Sequence, residues 1–249
     1  DGALETQAWG PLLAPDEMAN PSIGHVLDRL RDLPDYSGLF EAAFAGRGAS
    51  ADTVGAALAS YQRTLVAGDS PFDRYRYGGA SDALNAEEKA GHAIFTGKGR
   101  CAACHLIGEH DALLSDFRYH NTGIGWLRSQ ERASIEVELA PGVRANMSAA
   151  VVRSIGAGPR SDLGRFEITL DPRERWAYKT PMLRNVAATA PYMHDGSLPT
   201  LEAVVEYYDR GGAGAPGQSP LIAPLQLSAA EKAALVAFLK ALSGQAVAP

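Results

Sequence analysis

Cysteine is scarce in this sequence: Cys101 and Cys104 are the only two in 249 residues. A disulfide framework is therefore excluded, and two thiols so close together act as a pair or not at all. Long apolar runs are also lacking. No stretch approaches the roughly 18 consecutive apolar residues that a membrane span requires. Basic excess is missing too. With 23 Lys and Arg against 29 Asp and Glu, the formal net charge is −6, and the basic residues are scattered rather than gathered into the face that a nucleic-acid partner requires. The opening residues Asp1-Gly2-Ala3 carry neither a basic n-region nor an apolar h-region, so any export signal is expected to be already removed. Internal repeats and low-complexity runs are absent.

What remains is a chain 46% apolar and 21% charged, with enough apolar content to build buried cores and too much for a disordered or fibrous class. Its length suits two domains of roughly 100 to 150 residues. The 26 glycines and 15 prolines imply much loop between helices.

Helical signals dominate. Pro21 to Phe44 carries Val26, Leu27, Leu30, Leu33, Leu39 and Phe40, with Pro34 breaking the run. Val54, Leu58, Tyr61 and Leu65 fall at helical spacing, with Ser50 to Asp52 suited to the start and Gly68 to the end. Leu84-Asn85-Ala86-Glu87-Glu88 reads as staple, N-cap and capping-box acid before a helix that stops at Gly97-Lys98-Gly99. Ser228 to Glu231 is a second capping box, followed by Leu235, Phe238, Leu239 and Leu242 and closed by Gly244. Arg165 to Thr169 reads as one possible strand. The fold class expected is mainly α.

The strongest chemical signal is Cys101-Ala102-Ala103-Cys104-His105, the spacing of a c-type haem attachment site. Two thiols separated by two residues can add to the two vinyl groups of one porphyrin, and the next histidine then lies under the iron. A thioredoxin-like pair wants a βαβ setting, but helix and glycine turn precede Cys101. A zinc site wants two further ligands, and no third cysteine exists. The iron's other axial position is left open between Met147, Met182, Met193, His194, Tyr207 and Tyr208. Each of these is otherwise an ordinary packing residue. Trp9, Trp126 and Trp176, with Tyr75, Tyr77 and Tyr119, either relay oxidising holes or pack cores and loops.

Three stretches then carry a resemblance: Lys179-Thr180-Pro181-Met182-Leu183-Arg184-Asn185-Val186, Thr189-Ala190-Pro191-Tyr192-Met193-His194-Asp195-Gly196-Ser197, and Thr200-Leu201-Glu202. They resemble the bacterial di-haem cytochrome c peroxidase and MauG-like family. Gln7-Ala8 with Pro11 and Glu17-Met18, Arg63-Thr64-Leu65, Ser70 to Tyr75 and His120 to Gly123 resemble further family segments in the right order. The resemblance implies class I cytochrome c-like haem domains with long loops in a two-domain architecture. Residues 1–80 would be the remainder of an incomplete N-terminal peroxidatic domain, and 81–249 the C-terminal haem domain.

It also implies roles. His105 matches the proximal ligand of the second haem. Tyr208 stands where plain peroxidases place an axial methionine, as in the MauG branch, with Tyr207 its rival neighbour. Thr189 and Pro191 match backbone carbonyl ligands of a calcium ion, and Glu17, Gln7 and Pro11 match the peroxide pocket of the first haem. One haem c attaches to this sequence, and another is expected upstream. The implied function is periplasmic: hydrogen peroxide is used to oxidise a protein partner, with tryptophan modification the usual outcome in the MauG branch. The rivals are a peroxidase fed by a small electron-transfer cytochrome and a mono-haem electron carrier.

Overall fold

The computed structural model describes residues 3–15, 17–131, 134–148, 151 and 162–246. The helices are α1 (Leu4–Gln7), α2 (Trp9–Leu13), α3 (Ile23–Asp32), α4 (Leu39–Ala43), α5 (Ala51–Thr64), α6 (Pro71–Arg76), α7 (Ala86–Thr96), α8 (Ile124–Glu131), α9 (Phe166–Thr169), α10 (Leu201–Asp209) and α11 (Ala229–Ala241). Strands are short and pair in twos, so the fold is mainly α, as expected. The chain forms two compact units, one running to Ala67 and the other spanning Gly68–Gln245. This boundary lies before the one read at residue 80. The reason is Phe72: fully buried, it meets Phe238 edge-on at 5.4 Å and anchors α6 in the second unit.

In the first unit, α5 opens on a capping box in which Ser50 and Thr53 each accept the other's backbone N–H through their side-chain oxygens. Its buried face is Thr53, Val54, Gly55 and Ala59. The sequence reading put Leu58, Tyr61 and Leu65 on the apolar face, but they are 37%, 58% and 56% exposed. Gly55 is what sets the packed face, since a Cβ there would strike the backbone oxygen of Glu5. The helix also ends earlier than Gly68, at Thr64. The expected helical run from Pro21 divides into α3, a 3-10 turn at Pro34–Tyr36 and α4, because Pro34 has no N–H to continue a helix.

In the second unit, α7 and α11 cross closely. Each starts on the expected capping box, Asn85 with Glu88 and Ser228 with Glu231. Gly91 permits the approach, for a Cβ there would lie 2.7 Å from Phe238 Cβ and clash with the Ala234 carbonyl. Phe95 and Phe238 meet edge to face at 5.1 Å in the core. Two elements depart from the sequence reading. Arg165 to Thr169 is no strand: Phe166–Thr169 is a single helical turn, with Ile168 87% exposed and Phe166 beneath the Arg175 guanidinium. Here the backbone pairs with the strand Ala177–Lys179 only at Gly164 and Arg165, the Arg165 N–H donating to the Ala177 carbonyl at 2.9 Å, and then turns into helix. Conversely, Ser134–Ala140 and Val143–Ser148 pair as an antiparallel hairpin around Pro141-Gly142, which the sequence reading did not anticipate.

Candidate haem site

The glycine turn after α7 delivers the two thiols. Arg100 adopts a left-handed conformation, a 3-10 turn follows over Cys101–Ala103, and His105 N–H donates to the Cys101 carbonyl at 2.9 Å. This compact turn brings Cys101, Cys104 and His105 to the wall of one cavity of about 500 Å³, within the ~300–1,000 Å³ range of cofactor sites. No disulfide joins the two cysteines. Burial pushes the Cys101 thiol up to about 12.

His105 is held through Nδ1, 2.8 Å from the Leu114 carbonyl. A carbonyl can only accept, so Nδ1 carries the proton and Nε2 keeps its lone pair for a metal. Burial lowers the imidazole's affinity for a further proton, against the opposing pull of the Leu114 carbonyl, Asp116 and the Pro181 carbonyl. The ring is therefore neutral, the form that ligates.

The rest of the wall is apolar. Phe95, Leu201, Val205, Leu225, Leu235 and Leu239 line it and also belong to the hydrophobic core. A few polar groups converge on it, including His120, Lys179, Thr180 and His194. Two thiols and a neutral imidazole on one wall of an apolar cavity are the donor set that haem c requires, so the residues present fit it.

The two rival tyrosines separate clearly. Tyr208 lines the cavity, whereas Tyr207 is buried with its hydroxyl donating to the Thr122 carbonyl at 2.7 Å. On α10, Leu201, Val204, Val205 and Tyr208 recur at i, i+3, i+4 and i+7, one face of a helix, from which Tyr207 is turned aside. That periodicity is a sequence signal able to separate the two. Burial raises both phenols, Tyr207 to about 12, while Tyr208 also feels Tyr207, Cys101 and Cys104.

Met182, Met193 and His194 also line the cavity, and Met147 lies on the 134–148 hairpin outside it. Thr189 and Pro191 line it as well, Thr189 donating its hydroxyl to the Val186 carbonyl at 3.1 Å. In the first unit, Gln7 ends α1 and is exposed, Pro11 is half-buried in α2, and Glu17 is exposed. The Pro11 carbonyl accepts from Met18 N–H at 3.2 Å, which draws the segment bearing Glu17 back to α2. Tyr75 and Tyr77 pack against the core of the second unit.

Three arrangements had no sequence signal. His120 Nε2 lies 2.7 Å from Asp116 Oδ2. Burial would raise Asp116, but the bonds from His120, Arg118 N–H and Thr180 outweigh it and bring the carboxyl down to about 2. Tyr178 stacks on His194 with ring centroids 3.5 Å apart. Arg184 makes a bidentate pair with Asp73, Nη1 to Oδ2 at 2.7 Å and Nη2 to Oδ1 at 3.0 Å.

A helical domain whose two thiols and imidazole share one apolar cavity defines a c-type cytochrome. Comparison with known proteins narrows the class. A family model described as di-haem cytochrome c peroxidase matches residues 1–81, and one described as RoxA-like, cytochrome c-like matches 177–212. Methylamine utilization protein MauG of Methylorubrum extorquens is 38% identical over 99% of this chain and 60% of its own length. Cytochrome-c peroxidase IdrP2 of Denitromonas iodatirespirans is 38% identical over 98% of this chain and 64% of its own. A crystal structure of a MauG-like protein associated with microbial copper homeostasis superimposes with a TM-score of 0.71 at 33% identity, covering 98% of this chain and 69% of that one. The chain belongs to the di-haem cytochrome c peroxidase and MauG family. It spans about 60% of the length of the curated relatives it matches.

Proposed function

We propose that the chain belongs to a periplasmic di-haem oxidoreductase of the MauG type, which uses hydrogen peroxide to oxidise a residue of a protein partner, tryptophan by preference. The observation that carries this reading is Tyr208 on the wall of the cavity that also holds Cys101, Cys104 and His105. The two cysteines would hold haem through thioether bonds and His105 would ligate its iron through Nε2. When bound, haem supplies one-electron redox chemistry at an iron whose potential follows its axial ligands.

Tyr208 would offer its phenol oxygen to the same iron. Burial holds its proton tightly, so it gives that proton up only in exchange for a neighbouring cation. The resulting anionic oxygen donor favours a highly oxidised metal. Thr189 and Pro191 would offer backbone carbonyls to calcium, a hard cation tolerant of irregular geometry. In the first unit the Glu17 carboxylate would take a proton from the near oxygen of peroxide and return it to the far one, so that water leaves, with Gln7 and Pro11 shaping that pocket.

A second reading, peroxide reduction with electrons from a small cytochrome, draws on the peroxidase IdrP2, which matches at the same identity as MauG. Tyr208→Phe and Tyr208→Met test the leading one. Either variant is expected to change the absorption spectrum of the haem on His105, and an unchanged spectrum would dismiss Tyr208 as ligand. Rapid peroxide turnover with reduced cytochrome c would select the second reading. One haem per intact gene product with no reaction toward peroxide would leave only an electron carrier.

A further inference from the structure

The segment Pro181–Val186 forms part of the cavity wall through Pro181, Met182, Leu183 and Val186. Arg184 and Asn185 between them hold it in place. Asn185 takes a left-handed conformation, donates its N–H to the Leu242 carbonyl at 3.3 Å and accepts from Gly244 N–H at 2.8 Å, which fixes the segment to the end of α11. Arg184 fixes it on another side. Besides its bidentate pair with Asp73, its Nε donates to the Ala112 carbonyl at 3.0 Å.

That third bond bears on the imidazole. Ala112 lies two residues before Leu114, whose carbonyl accepts from His105 Nδ1. Pro181, three residues before Arg184, lines the same cavity as His105. One guanidinium therefore ties the segment that holds the His105 hydrogen bond to the Pro181–Leu183 wall of the same cavity and fastens both to α6. Its side chain and that of Asp73 are only 18% and 15% exposed, and a planar fork with donors in fixed directions suits three such bonds in a way that a lysine ammonium does not.

We infer that Arg184 is a positioning residue for the proximal ligand: by holding the Ala112–Leu114 and Pro181–Leu183 segments together, it fixes the orientation and the Nδ1–H hydrogen bond of His105. The inference rests on His105 being the iron ligand. A firm bond at Nδ1 makes the imidazole a stronger donor toward metal. Loosening it weakens donation to oxidised iron and moves the reduction potential upward.

The test uses the full-length haem-loaded protein carrying Arg184→Gln, Arg184→Lys and Asp73→Asn. Low-temperature electron paramagnetic resonance reads the ligand field, and a redox titration reads the potential. Arg184→Gln is expected to shift the g values of the haem on His105 and raise its potential, with Arg184→Lys recovering part of both shifts. Asp73→Asn, which leaves the Ala112 bond in place, should give the smallest shift. Wild-type g values and potential in Arg184→Gln overturn the inference. If that variant does not accumulate, wild-type values in Arg184→Lys overturn it equally. A His105→Ala protein that retained the wild-type signal would overturn the ligand assignment itself, which separates that failure from a failure of the Arg184 role.

Discussion

Single side chains in this site are committed to one task each, and neighbours in sequence can be committed differently. Tyr207 and Tyr208 make the point. The Tyr207 hydroxyl serves the Thr122 carbonyl, and the pair sits beside Gly123, where a Cβ would crowd both Ala213 and the Tyr207 hydroxyl. Removing that hydroxyl leaves a carbonyl without its donor, a loss of about 1–3 kcal/mol in a buried setting. Tyr207→Phe is therefore expected to unfold at a lower urea concentration than wild type while its haem absorption spectrum stays the same. A changed spectrum in Tyr207→Phe would mean that the division of labour between the two tyrosines is wrong.

Elements in this protein are positioned by pairs of contacts that bring distant stretches together. At Gly91 the backbone of α7 meets the Ala234 carbonyl and the Phe238 side chain of α11, so Gly91→Ala forces the two helices apart. Overpacking of this kind costs about 1–3 kcal/mol, and chemical denaturation of the variant should show a loss in that range. A second anchor is α6, held by Asp73 and Arg184. Burial raises the Asp73 carboxyl, yet the bonds from Arg184 and Ser70 outweigh it and leave it below its ordinary value. A depressed folded value means that the pair stabilises fully above about pH 4 and fades as pH falls through that value. The stability gap between wild type and Asp73→Asn, measured at pH 6, should accordingly shrink in acid. A gap that stayed constant down to pH 2 would show that Asp73 stabilises by shape rather than charge. The capping boxes that start α7 and α11 were legible in the sequence because they depend on four adjacent residues. The Asp73–Arg184 pair was not, because its partners stand 111 positions apart. The short α9 was misread for a related reason. Pairing with Ala177 reaches Gly164 and Arg165 and stops there, and nothing local to the five residues Arg165–Thr169 shows where it stops.

Over the molecule as a whole, the thiols, the imidazole and the tyrosine come from sequence positions 101 to 208, and the fold gathers them around one cavity. Cys101, Cys104 and His105 were legible because their spacing is itself the motif. Lys179 and His120 join them because residues 119–121 pair antiparallel with residues 177–179, 58 positions away, and Tyr178 of that pairing stacks on His194. The cavity and the hydrophobic core share the same residues, Phe95, Leu201, Val205, Leu225, Leu235 and Leu239 among them. The cofactor should thus be part of the folding core of the second unit. Without the cofactor, the apolar side chains that line this space of about 500 Å³ lose the atoms they would pack against. The double variant C101A/C104A, unable to attach haem, is therefore expected to keep helical far-ultraviolet circular dichroism. It should lose its near-ultraviolet signal and its cooperative thermal transition, the signature of collapse without fixed packing. A haem-free variant that melted as sharply as the wild type would show that the walls close on themselves, and that the cofactor is held by the fold rather than building it.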